Sequence, residues 1–194
     1  MIFQLLVVLF ATLIMSTGGS NYAWAESPAI TNYGERNPQA PAELGLFSFL
    51  VGKWNGAGNT RLADGSPVQF ELTWIGRYIL NGTAIADELH SLGPGGKPYL
   101  GISLRHFDEK RRSWIIEYLN VSNSFLRRQV NPQSGSVSQE GDTIVVISQD
   151  AQTRIRERYR VTDPNHFTYS TDMSRDAGRT WDPVSIEMTM TKVD

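Results

Sequence analysis

A chain of 194 residues, against a prior of about 150 residues per domain, accommodates one domain with additions but not two full ones. Apolar residues make up 40% and charged residues 20%, and 18 Lys plus Arg face 20 Asp plus Glu for a formal net charge of -2. That balance excludes a disordered acidic tail and gives a nucleic-acid partner no surplus of cations to neutralise phosphates. There is no cysteine, so disulfides, thiolate metal sites, cysteine nucleophiles, c-type haem attachment and N-terminal cysteine lipidation are excluded as well.

From Ile2 to Met15 the chain is almost wholly apolar (IFQLLVVLFATLIM), then small and polar (STGGSNY), and reaches Ala23-Trp24-Ala25. This is the order of an export signal with an A-x-A cleavage site, and the apolar run is shorter than the roughly 20 residues a membrane-spanning helix takes. Met1 to Gln4 hold no Lys or Arg, so the terminal amine alone supplies the leading positive charge. The segment predicts cleavage after Ala25 and a periplasmic or secreted product with no stable membrane anchor. Its alternative is an uncleaved anchor. Residues 26–42 begin ESPAITNYGERNPQAP, rich in proline and poor in large apolar groups, and predict a disordered linker ahead of a domain over 43–194. The run AELGLFSFL from Ala42 to Leu50 predicts one or two helical turns whose Leu46, Phe47, Phe49 and Leu50 plug an apolar opening.

From Val51 onward the chain alternates with period two between turn residues, which predicts antiparallel β structure throughout. Candidate strands cover 51–61, 67–76, 78–90, 98–107, 112–120, 124–131, 135–139, 142–149, 153–162, 165–174 and 182–193. Turns fall at Ala63-Asp64-Gly65, Gly93-Pro94-Gly95-Gly96, Asp108-Glu109-Lys110, Asn131-Pro132, Gly141-Asp142, Asp163-Pro164-Asn165 and Asp176-Ala177-Gly178. A meander of about ten strands removes its edges by closing into a barrel. If the Asp163-Pro164-Asn165 turn pairs Val161 with Phe167, then Tyr159 faces Tyr169, Glu157 faces Thr171 and Ile155 faces Met173. Val184, Ile186, Met188 and Met190 join that inner side, and Arg154, Arg156, Arg158 and Arg160 point outward. Val68, Phe70, Leu72 and Trp74 likewise alternate with Gln69, Glu71 and Thr73.

Phe49-Leu50 followed by Gly52-Lys53-Trp54-Asn55-Gly56-Ala57-Gly58 resembles the opening strand of calycin-type barrels, the lipocalin and fatty-acid-binding group. There the G-x-W indole packs across a closed barrel end. The G-x-W-x-G-x-G form is also similar to the nitrobindin family of ten-stranded haem-binding barrels. Over Leu46 to Val193, with W-x-G-R-Y-I-L from Trp74 to Leu80 and S-x-D-x-G-x-T-W from Ser174 to Trp181, the chain most resembles an uncharacterised bacterial family of lipocalin-like barrel domains. The resemblance implies an all-β, antiparallel, up-and-down ten-stranded barrel with a short N-terminal helix. The nitrobindin likeness implies haem on a late histidine, for which His166, at a turn edge and pointing opposite to Phe167, is the candidate. Ser174 to Trp181 also fits the Asp-box of sialidase propellers; as a single copy it reads as a hairpin turn, with the Asp accepting turn N–H groups, the Gly at positive φ and the Trp packed beneath.

Glu157 is the sharpest candidate for chemistry, because the register sets a carboxylate among Ile155, Tyr159, Tyr169 and Val184. Burial there favours the neutral acid and makes it a proton donor or a ligand anchor. The alternative is a structural ion pair with an inward arginine such as Arg128. Thr171, Tyr159 and Tyr169 add hydrogen-bonding groups. Trp54, Trp74, Trp114, Tyr118, Phe125 and Trp181 form an aromatic wall set that bounds either a ligand cavity or a packed core. The outward arginine row reads as a solvated strand face or as a site for an acidic partner. His90, His106 and His166 sit on separate strands; a turn near Gly93 to Gly96 sets His90 opposite about Tyr99 and His106 opposite about Thr83, so no metal site is predicted. Serine-hydrolase, P-loop and dinucleotide fingerprints are missing from the sequence. The reading is an exported barrel that binds a small, largely apolar molecule in its lumen through Trp54, Trp74, Trp114, Tyr118, Glu157, Tyr159, Tyr169 and Thr171. Its alternatives are an isomerase, cyclase or hydrolase using Glu157 with Tyr159 or Tyr169 as acid and base, and a haem-binding barrel.

Overall fold

The computed structural model describes residues 33–193 apart from 63, 94, 95, 97, 123–125, 150–152, 183 and 184. The expected export signal and cleavage site, the first part of the 26–42 leader, Phe125 and Val184 lie outside the described residues. A 3-10 helix over Ala42–Leu50 is followed, among the described residues, by β1 Gly52–Arg61, β2 Pro67–Ile79, β3 Ala84–Leu92, β4 Pro98–Asp108, β5 Ser113–Asn120, β6 Leu126–Val130, β7 Ser136–Glu140, β8 Thr143–Gln149, β9 Arg154–Asp163, β10 His166–Ser174 and β11 Ile186–Lys192.

Chain neighbours pair antiparallel from β1 to β6 and from β7 to β11, and β1 pairs with β11. The last seam joins β6 to β8 through Gln129 opposite Gln149, and β7 continues along the same edge of β8 with Ser136 opposite Ile147. β6 and β7 are therefore two pieces of one stave, interrupted by 131–135. Eleven strands close a ten-stave up-and-down barrel, the all-β architecture the alternation predicts. The register expected from the Asp163-Pro164-Asn165 turn holds: Val161 pairs with Phe167, Tyr159 with Tyr169, Glu157 with Thr171 and Ile155 with Met173.

One boundary differs. β2 runs on through Gly76 and Arg77 to Ile79, and β3 begins at Ala84, where the sequence reading breaks the strand near residue 77. The turn is Leu80–Thr83, with Leu80, Asn81 and Gly82 at φ 50, 55 and 75° and Gly82 N–H donating to Ile79 O at 3.0 Å. Asn81-Gly82 is a hairpin signal, the dipeptide whose two residues adopt positive φ most readily. Gly76 stays in the strand because the helix lies against it, where an added Cβ would sit 2.0 Å from Leu50 O.

Leu44, Phe47 and Leu50 are fully buried. Spaced three apart, they share one face of a helix with 3.0 residues per turn and plug one end of the barrel. Phe47 and Leu50 are two of the expected plug residues, Leu46 and Phe49 pack at its edge, and Leu44 is the third plug. The leader is part of this end: Gly34 bridges Tyr78, Asn37 N–H donates to Gly82 O at 3.1 Å, and Asn37 and Ala40 are buried. Ordered packing thus begins ahead of residue 43, because these backbone groups find partners on the β2–β3 turn.

The motif glycines of β1 make room for large side chains crossing the lumen. A Cβ on Gly56 would meet Met190 Sδ at 2.3 Å, and one on Gly58 the Phe70 ring at 2.4 Å. Trp54 donates its indole N–H to Leu50 O at 3.3 Å and meets Phe167 edge to face at 4.8 Å, the closed-end packing the G-x-W resemblance implies.

Candidate functional site

A cavity of about 340 Å³ occupies the half of the barrel away from the helix. Trp74 on β2, Leu89 on β3, Ile155 on β9, Met173 on β10 and Ile186 and Met188 on β11 give it apolar walls. Their neighbours in phase supply Asp87, Tyr99, Ser103, Tyr118, Arg128, Glu157, Tyr159, Tyr169 and Thr171. Strand alternation sets every one of these side chains inward.

The polar groups form a connected floor. Trp74 Nε1 donates to Asp87 Oδ1 at 2.9 Å, and Asp87 is ion-paired with Arg105, both side chains being only 2% exposed. Arg105 Nη2 donates to the Tyr159 hydroxyl at 3.1 Å, and that hydroxyl donates to Glu157 Oε2 at 2.8 Å. Glu157 Oε1 lies 3.5 Å from Arg128 Nη1, and the Arg128 guanidinium rests 4.3 Å over the Tyr118 ring. The Tyr118 and Tyr99 hydroxyls share a hydrogen bond of 2.7 Å. Two acids and two arginines make the floor neutral in total, the condition under which buried charges persist.

Burial pushes the Tyr159 and Tyr169 phenols up from their ordinary range, and the Glu157 charge pushes them further. Burial, followed by Tyr99, does the same to Tyr118. All three stay protonated at neutral pH and act there as donors. Burial alone would lower the Arg128 pKa, but Glu157 outweighs it and leaves the guanidinium more firmly charged than usual.

Six of the residues singled out in the sequence, Trp74, Tyr118, Glu157, Tyr159, Tyr169 and Thr171, meet at this cavity. Trp54 and Trp114 do not line it. Trp54 belongs to the filled end, and Trp114 packs edge to face on Phe47 at 4.9 Å and borders a separate groove beside the helix. Both are large inward aromatics, but their strand positions fall at the helix-plugged end. Trp181 is not a wall residue at all; it lies outside the barrel, 4.2 Å under the Arg156 guanidinium. Sequence reasoning misses Asp87, Arg105 and Tyr99. A signal exists for each: Asp87 shares the inward phase of Ile85 and Leu89, and Tyr99 and Arg105 that of Ser103 and Phe107.

Three of the outward arginines are paired within the chain. Arg156 and Arg158 both hold Asp172, and Arg160 Nε donates to Asp142 at 2.7 Å. Burial tends to raise the Asp172 pKa, yet the hydrogen bonds from Arg158 and Arg156 hold it below the usual carboxylate range. The Ser174 to Trp181 segment is a turn: Asp176 accepts from Thr180 N–H at 2.8 Å and from the Thr180 hydroxyl at 2.7 Å, and Gly178 sits at φ 89°.

His90 pairs with Leu100 and His106 with Ala84, each one residue from the expected register, because the β3–β4 connection closes with Leu92 opposite Pro98. Both point outward, as does His166, whose Nδ1 lies 2.9 Å from Asp163 at the plugged end. No histidine lines the cavity among the described residues, so the lumen does not fit a histidine-held haem.

Fold and lumen together define a lipocalin-like β-barrel with a plugged end and a cavity at the other. The chain belongs to the family described as a protein of unknown function, DUF1579, whose model matches residues 40–191. No curated protein matches it. Among solved structures it is similar to Rv2717c from M. tuberculosis, at 15% identity and a TM-score of 0.56, over 80% of this chain and 99% of that one. It is also similar to the S-type phycobiliprotein lyase CPES from Guillardia theta, at 10% identity and a TM-score of 0.51, over 77% of this chain and 92% of that one. At such identities the likeness establishes the barrel fold alone.

Proposed function

We propose that the protein is an exported barrel that binds a small, largely apolar molecule in its lumen. The observation that carries this is the cavity itself: about 340 Å³ within the barrel, walled by Trp74, Leu89, Ile155, Ile186 and Met188, with Asp87, Arg128, Glu157 and four phenols set among them. Ligand sites run from about 300 to 1,000 Å³ and combine apolar walls with a few placed polar groups. Wild-type packing would fill such a space with side chains if stability alone were served, because voids cost contacts. Glu157 already accepts from Tyr159 and faces Arg128, which favours an anchoring part in the floor over a free acid or base. Export rests on the apolar Ile2–Met15 run and Ala23-Trp24-Ala25, and N-terminal sequencing of the purified protein should begin at Glu26.

Native mass spectrometry of protein purified gently from its own source tests the binding reading. A stoichiometric small-molecule adduct is expected in the wild type and should be lost in Ser103→Phe, which fills the cavity. An adduct that survives Ser103→Phe in the folded protein would place the ligand elsewhere.

A further inference from the structure

We propose that the ligand enters with an uncharged oxygen acceptor, a ketone or ester oxygen, received by Arg128 and the Tyr99–Tyr118 hydroxyl pair; this rests on the lumen-binding reading above. Protons in that corner of the cavity outnumber their acceptors. Tyr99 and Tyr118 make one mutual hydrogen bond of 2.7 Å, which spends one of their two hydroxyl protons. Arg128 Nε is buried and has no hydrogen-bond partner among the described residues. All three residues border the cavity.

Among the described lumen donors, the Ser103 hydroxyl, paired opposite Tyr118, and the Tyr169 hydroxyl also border the cavity without a protein acceptor, while Trp74, Tyr159, Thr171 and Ser185 are spent. Tyr159 gives its proton to Glu157, and Trp74 gives its indole N–H to Asp87. The Thr171 and Ser185 hydroxyls lie 2.9 Å apart and Ser185 also donates to Thr171 O at 3.2 Å, so each proton there has an acceptor. The geometry of the Arg128 corner is fixed. The Arg128 guanidinium sits over the Tyr118 ring at 4.3 Å, and the ring reaches across β4 because Gly101 carries no side chain: a Cβ there would meet Tyr118 Oη at 2.8 Å. Water serves the spare Tyr99–Tyr118 proton in an open lumen, and a ligand oxygen must replace it when the apolar remainder enters.

Charge decides which oxygen. Glu157 Oε1 stands 3.5 Å from Arg128 Nη1 and already balances its cation. A ligand carboxylate seated on Arg128 would share the corner with a second carboxylate in a poorly screened interior. A ketone or ester oxygen takes the same protons without that repulsion.

Calorimetric titration of the mature protein at pH 8 with 2-octanone, octanoate and 1-chlorooctane tests this. The ketone is expected to bind at least tenfold tighter than either of the others. Tyr118→Phe, which keeps the ring under Arg128, should weaken the ketone about threefold or more. Arg128→Met with Glu157→Gln removes both charges together and should bring ketone and chloride within about twofold. Octanoate binding as tightly as the ketone, or a ketone preference that survives the double substitution, would overturn the proposal. Equal binding of all three overturns it while leaving lumen binding in place; binding of none overturns the lumen reading and this one with it.

Discussion

The two halves of the barrel interior are built on opposite terms. The plugged half is filled with aromatic and aliphatic groups: Phe47 on Trp114 at 4.9 Å, Trp54 on Phe167 at 4.8 Å, and Leu44, Leu50 and Met190 fully buried. The other half carries two buried carboxylates, two arginines and four phenols around about 340 Å³ of space. Edge-to-face pairs contribute about 0.5–1.5 kcal/mol each beyond their buried area. Buried ion pairs, by contrast, are weak sources of net stability and costly to break. Stability is concentrated where the helix docks, which leaves the opposite half free to hold charges and a cavity. Tyr159 joins the two, packing on Phe47 at 6.0 Å while its hydroxyl serves Glu157.

Truncation in the filled half breaks the comparison most severely. Trp54→Ala should lower unfolding free energy by about 3–5 kcal/mol in denaturant titration, and a loss under 1 kcal/mol would mean this half is not the stabilising one. In the charged half, Arg128→Met alone strands Glu157 and should cost about 3 kcal/mol, most of it regained when Glu157→Gln is added. Equal stability of the single and double variants would show that the pair is not coupled. Gly76→Ala pushes a methyl group into Leu50 O and should cost about 1–3 kcal/mol by displacing the helix, seen as a lower melting temperature with the lumen residues untouched.

The smallest effect is on the outer wall. Because the arginines hold the Asp172 pKa down, its contribution is present above the ordinary carboxylate value of about 3.9 and is lost as pH falls through its lower folded value. Asp172→Asn should flatten the stability profile below about pH 4 and leave the lumen unaffected. An unchanged acid profile in that variant would remove Asp172 from the account.

Alternation in β9 and β10 was enough to read wall, register and the inward Glu157, because period two has no freedom once one turn is placed. The plugged end was legible in Phe47, Leu50 and Trp54. The floor was less so. Glu157 meets Arg128 on β6 and is linked through Tyr159 to Arg105 on β4 and Asp87 on β3, and pairing across the lumen between distant staves leaves no local pattern; only the inward phase of Asp87 and Arg105 hints at it. The β2–β3 turn was missed because Gly76 invites a break, and its reason for staying extended, the approach of Leu50 O, is a tertiary contact. Trp54 and Trp114 were assigned to the cavity because phase tells inside from outside and says nothing of depth along the barrel.

The central claim is that the interior is filled at one end and receives a small molecule at the other. Methionine methyl resonances read this directly, since Met173 and Met188 line the cavity and Met190 lies fully buried against Gly56. With ¹³C-methyl methionine in the protein and 2-octanone added to saturation, the Met173 and Met188 signals should shift and show cross-relaxation to the ligand chain, with Met190 unmoved. Contact to Met190 equal to that at Met188, or no contact at any of the three, would contradict the account.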